Sequence, residues 1–386
     1  MKILFIAAGS PATVFALTPL ATAARNAGHQ VFMAASENMT PFIARAGLPA
    51  ISASALSLDH FMFMDRSGNP VSLPTDPMQS GLFTGRWFGR MAAAYLDSLL
   101  TIAEDWRPNV VVGGMMSYSA PLLAAHLGIP HVRQAWDAIG ASGFDPGADE
   151  ELQPVLKLLG LDRIPESDLF VDVCPPSLRP SGAPPAQMMR PIPGNEQRPL
   201  QPWMYARDGR RRICVTMGSR VALNQREYPA NAFGALVDMV ASIGPLHAET
   251  VVAAPDEVAS ELCARFDGVR AGWVPLDVVA PTCDALVHHA GGVTTLTGMS
   301  AGVPQLLLPR GDALADAARR LERYGAAIVL PPSENKGANI LKACEKLIDE
   351  PIHRERAQAI AHEIAAMPSP ADVVGVIESL AAGSRS

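Results

Sequence analysis

Twelve short runs rich in valine, isoleucine and leucine, with longer amphipathic runs between them, set the strongest limit on what this chain can become. The first six are "KILFIAA", "HQVFMAA", "PAISA", "NVVVGGM", "PHVRQ" and "DLFVDVC"; the second six are "RRICVTMGS", "AETVVAA", "VRAGW", "ALVHHA", "PQLLLP" and "AAIVLP". Strands that read as continuous apolar runs are buried on both faces, so each set predicts a parallel sheet wrapped by helices. Between the sets, residues 175–202 carry nine prolines, and proline can neither continue a helix nor donate to a strand ladder. The expected fold is α/β: two doubly wound, Rossmann-like domains facing each other across a cleft. Their expected limits are 1–174 and 210–370, with a proline-rich linker over 175–209. A last helix, 371–386, is expected to pack back on the first domain. A length of 386 residues suits two domains.

The net charge of −7 argues against a nucleic-acid partner, which would require a basic face. The opening "MKILFIAAGSPATVF" has one lysine and an apolar run broken by a Gly-Ser-Pro turn. It reads as a buried first strand, not as a signal peptide, and no later apolar run looks long enough to span a bilayer. The five cysteines lie far apart without a C-x-x-C pair, as expected for reduced thiols in a cytoplasmic protein, and no Cys/His cluster has metal-ligand spacing. A homodimer is compatible with the sequence.

Two stretches stand out. Residues 54–82 form a long insertion containing Phe61, Met62, Phe63 and Met64, which suits either a lid over a flat ligand or a loop packed on the core. Residues 287–304, "VHHAGGVTTLTGMSAGVP", run from a strand through small residues into a helix. A helix N-terminus offers unpaired N–H groups and a positive dipole end, a ready site for phosphate. By itself the His-His pair fits a satisfied core pair as well as a diphosphate contact.

The wider context carries more. "GWVPLDVVAPTCDALVHHAGGVTTLTGMSAGVPQLLLPRGDALADAARRLERYGAAI", residues 272–328, resembles the donor-binding segment of nucleotide-sugar glycosyltransferases of the GT-B fold, with W-V-P, H-H-G-G and A-G-V-P-Q in that order. "GSPATVFALTPLATAARNAGH", "FTGRWF", "RQAWDA", "CPPSLRP", "PWMY" and "VAPTCD" narrow the resemblance to antibiotic enzymes, the angucycline olivosyltransferases of the landomycin and urdamycin pathways. It implies that Trp273 stacks on the nucleotide base and that Val274 offers its backbone to the base edge. His289, the Gly292, Val293 and Thr294 turn and the Ser219 hydroxyl would hold the diphosphate. Two positions depart from the family: Ala290 replaces the first glycine, and Val293 stands where a further glycine is common. Both are tolerable if their φ angles are negative.

Many relatives place Asp-Gln where this chain has Ala313 and Leu314. Two apolar residues cannot pair the hydroxyls of glucose, and each buried unpaired hydroxyl would cost about 1–3 kcal/mol. This predicts a 2,6-dideoxyhexose, D-olivose on dTDP, unless the stretch tilts away from the sugar. Most relatives carry a histidine in the first loop as general base; here that position falls near Thr13, and a lone hydroxyl is a poor base. Asp137 on its own fits a helix cap or turn as well as a base; the resemblance assigns it the base role, with Ser10 as a first-loop contact. A carboxylate suffices for a phenolic acceptor, whose pKa of about 10 matches tyrosine. Phe61, Phe63, Trp87 and Trp136 are the expected walls for an aromatic polyketide aglycone.

The implied reaction is inverting and metal-independent, with no cofactor beyond the dTDP-sugar substrate. O-transfer is the simpler outcome, because C-transfer also requires the ring to be turned. A non-catalytic sugar-nucleotide-binding protein is the alternative from another class. A nicotinamide oxidoreductase is disfavoured because "AAGSPATVF" lacks G-x-G-x-x-G. An epimerase is disfavoured because it should want polar contacts to the sugar.

Overall fold

The computed structural model describes residues 1–74, 76–138, 143–218, 232–309 and 312–383. Seven parallel strands make the first sheet: β1 (Lys2–Ile6), β2 (Gln30–Ser36), β3 (Ala50–Ser54), β4 (Val110–Gly114), β5 (His131–Gln134), β6 (Leu169–Asp172) and β7 (Gln187–Met188), in the order β3-β2-β1-β4-β5-β6-β7. Six parallel strands make the second: β8 (Arg212–Thr216), β9 (Glu249–Ala253), β10 (Arg270–Gly272), β11 (Ala285–His288), β12 (Gln305–Leu307) and β13 (Ala327–Val329), in the order β10-β9-β8-β11-β12-β13. Each of the twelve apolar runs holds one of these strands. Ile3 to Ile6, Val110 to Val112 and Ala285 to Val287 are fully buried, as strands covered on both faces require.

The thirteenth strand is a correction. β7 lies inside the 175–209 stretch expected to lack regular structure, and pairs with β6 through Val171↔Gln187 and Asp172↔Met188. Two residues between prolines are enough for an edge pairing, where proline is tolerated. Residues 54–82 are also more ordered than the insertion expected there. They hold a helix, Leu58–Phe63, whose Ser57 side chain accepts from the His60 N–H at 3.4 Å. An antiparallel bridge, Met64↔Pro70, follows, and then the start of a long helix, Pro77–Trp106.

In both sheets the winding reverses beside the first strand, between β1 and β4 and between β8 and β11. Crevices at such switch points, beyond the carboxyl ends of the strands, are where doubly wound sheets bind ligands. Apolar contact joins the domains: Ala290, Leu296, Met299, Leu321 and Ile360 belong to the same buried cluster as Phe5, Leu17 and Tyr95.

Two helices close the chain, Pro351–Ala366 and Pro370–Gly383. By length and hydropathy the combined stretch, Pro351–Gly383, would pass for a membrane span, contrary to the expectation that no run is long enough. It is broken between the two helices, and Ile360, Ile364, Val373 and Ile377 are buried in the protein core. Glu378 of the last helix pairs with His29, beyond the end of the first helix, at 2.9 Å. All five cysteines are free thiols.

Candidate active site

A cavity of about 560 Å³ opens where the two switch points face each other. The first domain supplies Pro11 to Thr13 and Phe15 from the start of the Pro11–Asn26 helix, together with Phe42, Arg45, Trp136 and Asp137. The second domain supplies Thr216 and Gly218 after β8, the turn after β9, Gly272 to Val274 around the end of β10, and His289 with Gly291 to Thr294 after β11. A third wall, Gly194 to Glu196 and Arg198, comes from the segment joining the domains.

Backbone proximity fixes His289. A Cβ on Gly218 would stand 2.5 Å from its Cε1, and one on Gly291 would stand 2.4 Å from its Nε2. The imidazole therefore lies between two glycine backbones, and any side chain at either position would displace it. Its neighbour His288 has a different task. It is wholly buried, with Nε2 2.8 Å from Gln305 Oε1, while Gln305 Nε2 donates to the Thr295 carbonyl at 3.1 Å. Since Gln305 turns its amide N–H₂ toward Thr295, its oxygen faces His288, which must carry the proton on Nε2. Burial, then the adjacent His289, holds His288 down to about 3, so it is neutral at pH 7. The pair resolves into one core histidine and one cavity histidine.

The helix Gly292–Ser300 begins at the cavity wall. Its first N–H groups have no partner within the helix and point out of its end. Thr295 and Thr297 donate their hydroxyls to the Gly291 and Val293 carbonyls at 3.0 and 2.9 Å, and Thr294 and Thr297 line the cavity. Against the first residue of this helix stands Asp137, three residues past β5 and 9% exposed. It is so close that a Cβ on Gly292 would meet its Cβ at 2.1 Å and its Oδ2 at 2.6 Å. One carboxylate from the first domain thus faces one imidazole and one helix N-terminus from the second. Such a cavity brings a proton acceptor and a site for an anionic leaving group together on adjoining parts of its lining.

Several expectations need correction. Phe61 and Trp87 are buried in the first-domain core, Phe61 edge-on to Tyr95 and Trp87 stacked on Phe88, and neither they nor Phe63 line the cavity. Residues on the inward face of a helix are consumed by packing, and hydrophobicity alone does not separate core from pocket. Trp136 does line it, resting beside Gly114, whose Cβ would come within 2.8 Å of the indole. Ser10 is the buried N-cap residue of the first helix and is not a lining residue. Thr13 lines the cavity but donates its hydroxyl to Ser10 and Ala8 carbonyls, at 2.7 and 3.0 Å. Ala290 adopts φ +62°, not the negative angle expected; Val293 is helical. Leu314 packs against the first core and does not line the cavity. Ser219 and the Ala313 side chain lie outside the described residues. Among the described residues no group of three or more His, Cys, Asp or Glu could hold a metal.

Sequence reasoning missed Phe42, Arg45, Glu196 and Arg198. The polar "GNEQR" set between prolines was a usable signal, since a pure spacer has no need of alternating charges.

The chain matches the models of the erythromycin biosynthesis protein CIII-like N-terminal domain over residues 22–218 and C-terminal domain over residues 237–380. The L-demethylnoviosyl transferase of Streptomyces niveus is 33% identical over 389 residues, covering 100% of this chain and 99% of that protein. Among solved structures, the Streptomyces glycosyltransferase SsfS6 complexed with thymidine diphosphate superposes with a TM-score of 0.84 at 34% identity, covering 98% of this chain and 99% of that one. The spinosyn rhamnosyltransferase SpnG complexed with spinosyn aglycone gives 0.84 at 28% identity, covering 98% and 100%.

Proposed function

The chain belongs to the erythromycin biosynthesis protein CIII-like glycosyltransferases, sugar-transferring enzymes of the GT-B fold, and from that membership we propose that it transfers a 2,6-dideoxyhexose from dTDP to a phenolic polyketide. The donor we favour is dTDP-D-olivose and the acceptor an angucycline-type aglycone. The observation that carries the reading is the convergence of Asp137, His289 and the start of the Gly292–Ser300 helix on one cavity.

The reaction follows from that convergence. Asp137 accepts the phenolic proton as the acceptor oxygen bonds to the anomeric carbon. The bond from that carbon to the diphosphate oxygen breaks on the opposite side, with inversion, and its electron pair leaves with dTDP. His289 and the N–H groups of Gly292, Val293 and Thr294 stabilise the charge that develops there, as preorganised donors do. Trp273 and Val274 receive the base. Leu314 packs away from the cavity, so the Ala313–Leu314 pair does not carry the choice of sugar; the proposed sugar and aglycone both rest on the motif resemblance.

Incubation with dTDP-D-olivose and a polycyclic phenol should release dTDP and yield an aglycone heavier by one deoxyhexose. A product that resists acid hydrolysis would be the C-glycoside and overturn O-transfer. Higher kcat/KM with UDP-glucose would overturn the deoxysugar assignment. Tight donor binding with no turnover across a panel of phenols would point to the accessory-protein reading.

A further inference from the structure

The segment joining the two domains does more than connect them. Gly194 passes so close to the first helix that a Cβ there would lie 2.4 Å from the Phe15 carbonyl oxygen. The Gln197 N–H donates to the Arg45 carbonyl at 3.0 Å, and Asn195 Nδ2 donates to Asp277 Oδ1 at 2.5 Å. The segment is therefore pinned to both domains at the edge of the cavity. It carries a buried carboxylate, Glu196, only 7% exposed, which pairs with Arg45 at 3.1 Å on one side and with Arg198 at 2.6 Å on the other. Arg198 also reaches Asp256 at 3.5 Å. The guanidinium so held lies over the Trp273 ring, its carbon 5.6 Å from the ring centroid, and both residues line the cavity.

That separation is informative. Two flat groups in contact sit roughly 3.5–4 Å apart, so a flat ring between them needs about 7 Å. At 5.6 Å from the ring centroid the guanidinium is within cation–π range but not centred in stacking contact, and admitting a base requires it to move outward, a shift open to a side chain that is 37% exposed. We propose that Arg198 is a nucleobase-clamping residue: the base of the nucleoside diphosphate enters between the indole of Trp273 and the guanidinium of Arg198. The planar cation stacks on the outer face of the base, and the Glu196 carboxylate keeps it aimed there. Arginine suits this role where lysine does not, because a point charge on a flexible stem has no flat face to stack. The clamp rests on the reading of this cavity as a nucleotide-sugar site.

Titration of the full-length protein with thymidine diphosphate tests it, with inorganic diphosphate as a second ligand that carries the charge but no base. Arg198→Ala should weaken thymidine diphosphate binding about tenfold, as loss of a partly exposed cation–π contact implies. Inorganic diphosphate binding should stay within about twofold. Arg198→Lys should recover less than half of the loss, and the donor KM should rise by a larger factor than kcat falls. Trp273→Ala serves as the reference. If it weakens thymidine diphosphate binding and Arg198→Ala does not, the clamp is overturned and the site reading stands. If Arg198→Ala weakens both ligands equally, the guanidinium acts as a general attractor of anions and the clamp is again overturned. If the unaltered protein does not bind thymidine diphosphate, the site reading fails and the clamp with it.

Discussion

Asp137 and His289 enter the cavity from opposite domains, and each depends on glycine for its place. If Asp137 is the base, Asp137→Asn should retain thymidine diphosphate binding yet lose about 10²–10⁴-fold in turnover, measured under single-turnover conditions. Near-normal turnover in a folded variant would dismiss the assignment. His289 should be equally sensitive to its own removal and to crowding from behind. A hydrogen bond to a charged group is worth about 1.5–3 kcal/mol, so His289→Ala should weaken donor binding roughly ten- to hundredfold. Gly291→Ala should approach the same loss, because its Cβ would stand 2.4 Å from the imidazole Nε2 and push the ring away. Ala290 behaves in the opposite sense. An alanine at φ +62° is in the left-handed region, which disfavours residues bearing a Cβ by about 1–2 kcal/mol. The extra freedom of glycine in the unfolded chain takes back about 0.5–1 kcal/mol. Ala290→Gly should therefore raise the unfolding free energy by up to about 1.5 kcal/mol, visible as a higher Tm; a lower Tm would show that the loop holds this angle without strain.

At the scale of elements, the segment expected to wall the acceptor pocket serves instead as a helix–helix seam. Gly81, Gly85 and Gly89 recur every fourth residue along the Pro77–Trp106 helix and face the chain from Gly143 to Glu151, at the start of the Asp145–Leu158 helix. A Cβ on Gly85 would stand 1.9 Å from the Phe144 carbonyl oxygen and 2.8 Å from the Ala148 nitrogen, so neither backbone can yield without separating the helices. Overpacking of this kind costs about 1–3 kcal/mol. Gly85→Ala should lower stability by at least that much in denaturant titration, while Gly143→Ala, whose Cβ would meet nothing within 4 Å, should not. Equal effects of the two would refute the seam. The buried His288–Gln305–Thr295 chain is the second domain's counterpart, tying β11, β12 and the Gly292–Ser300 helix through side-chain hydrogen bonds.

Across the whole molecule, acid should act through the buried imidazoles. Burial, then the charge of Arg133, holds His131 down to about 3, and His288 sits equally low. In the unfolded chain each would titrate near 6.5. Below that value the unfolded state binds the additional protons, so stability falls as pH drops from about 6.5 toward 3. At pH 5 each histidine subtracts about 2 kcal/mol relative to pH 7. His131→Leu should remove its share, flattening the loss between pH 7 and pH 5 in urea titrations; an unchanged slope would exclude His131 as a contributor.

How much of this was legible beforehand divides along a physical line. Twelve of the strands and the two sheets follow from local patterning, because a strand buried on both faces must be apolar at every position and a helix must repeat every three to four residues. The turn that brings Gly291 to Thr294 to the cavity wall was legible too, since strand, glycines and helix start are adjacent in sequence and their geometry is local. What tertiary structure decided is everything that depends on distance in space. Phe61 and Trp87 look like pocket aromatics until the fold turns them into the core, Asp137 and Gly292 meet across 155 positions of chain, and Arg198 reaches Trp273 because its segment is pinned to both domains. Hydrophobic pattern records which residues leave water, but not which neighbours they leave it to join. That choice belongs to the packing of the two domains against each other.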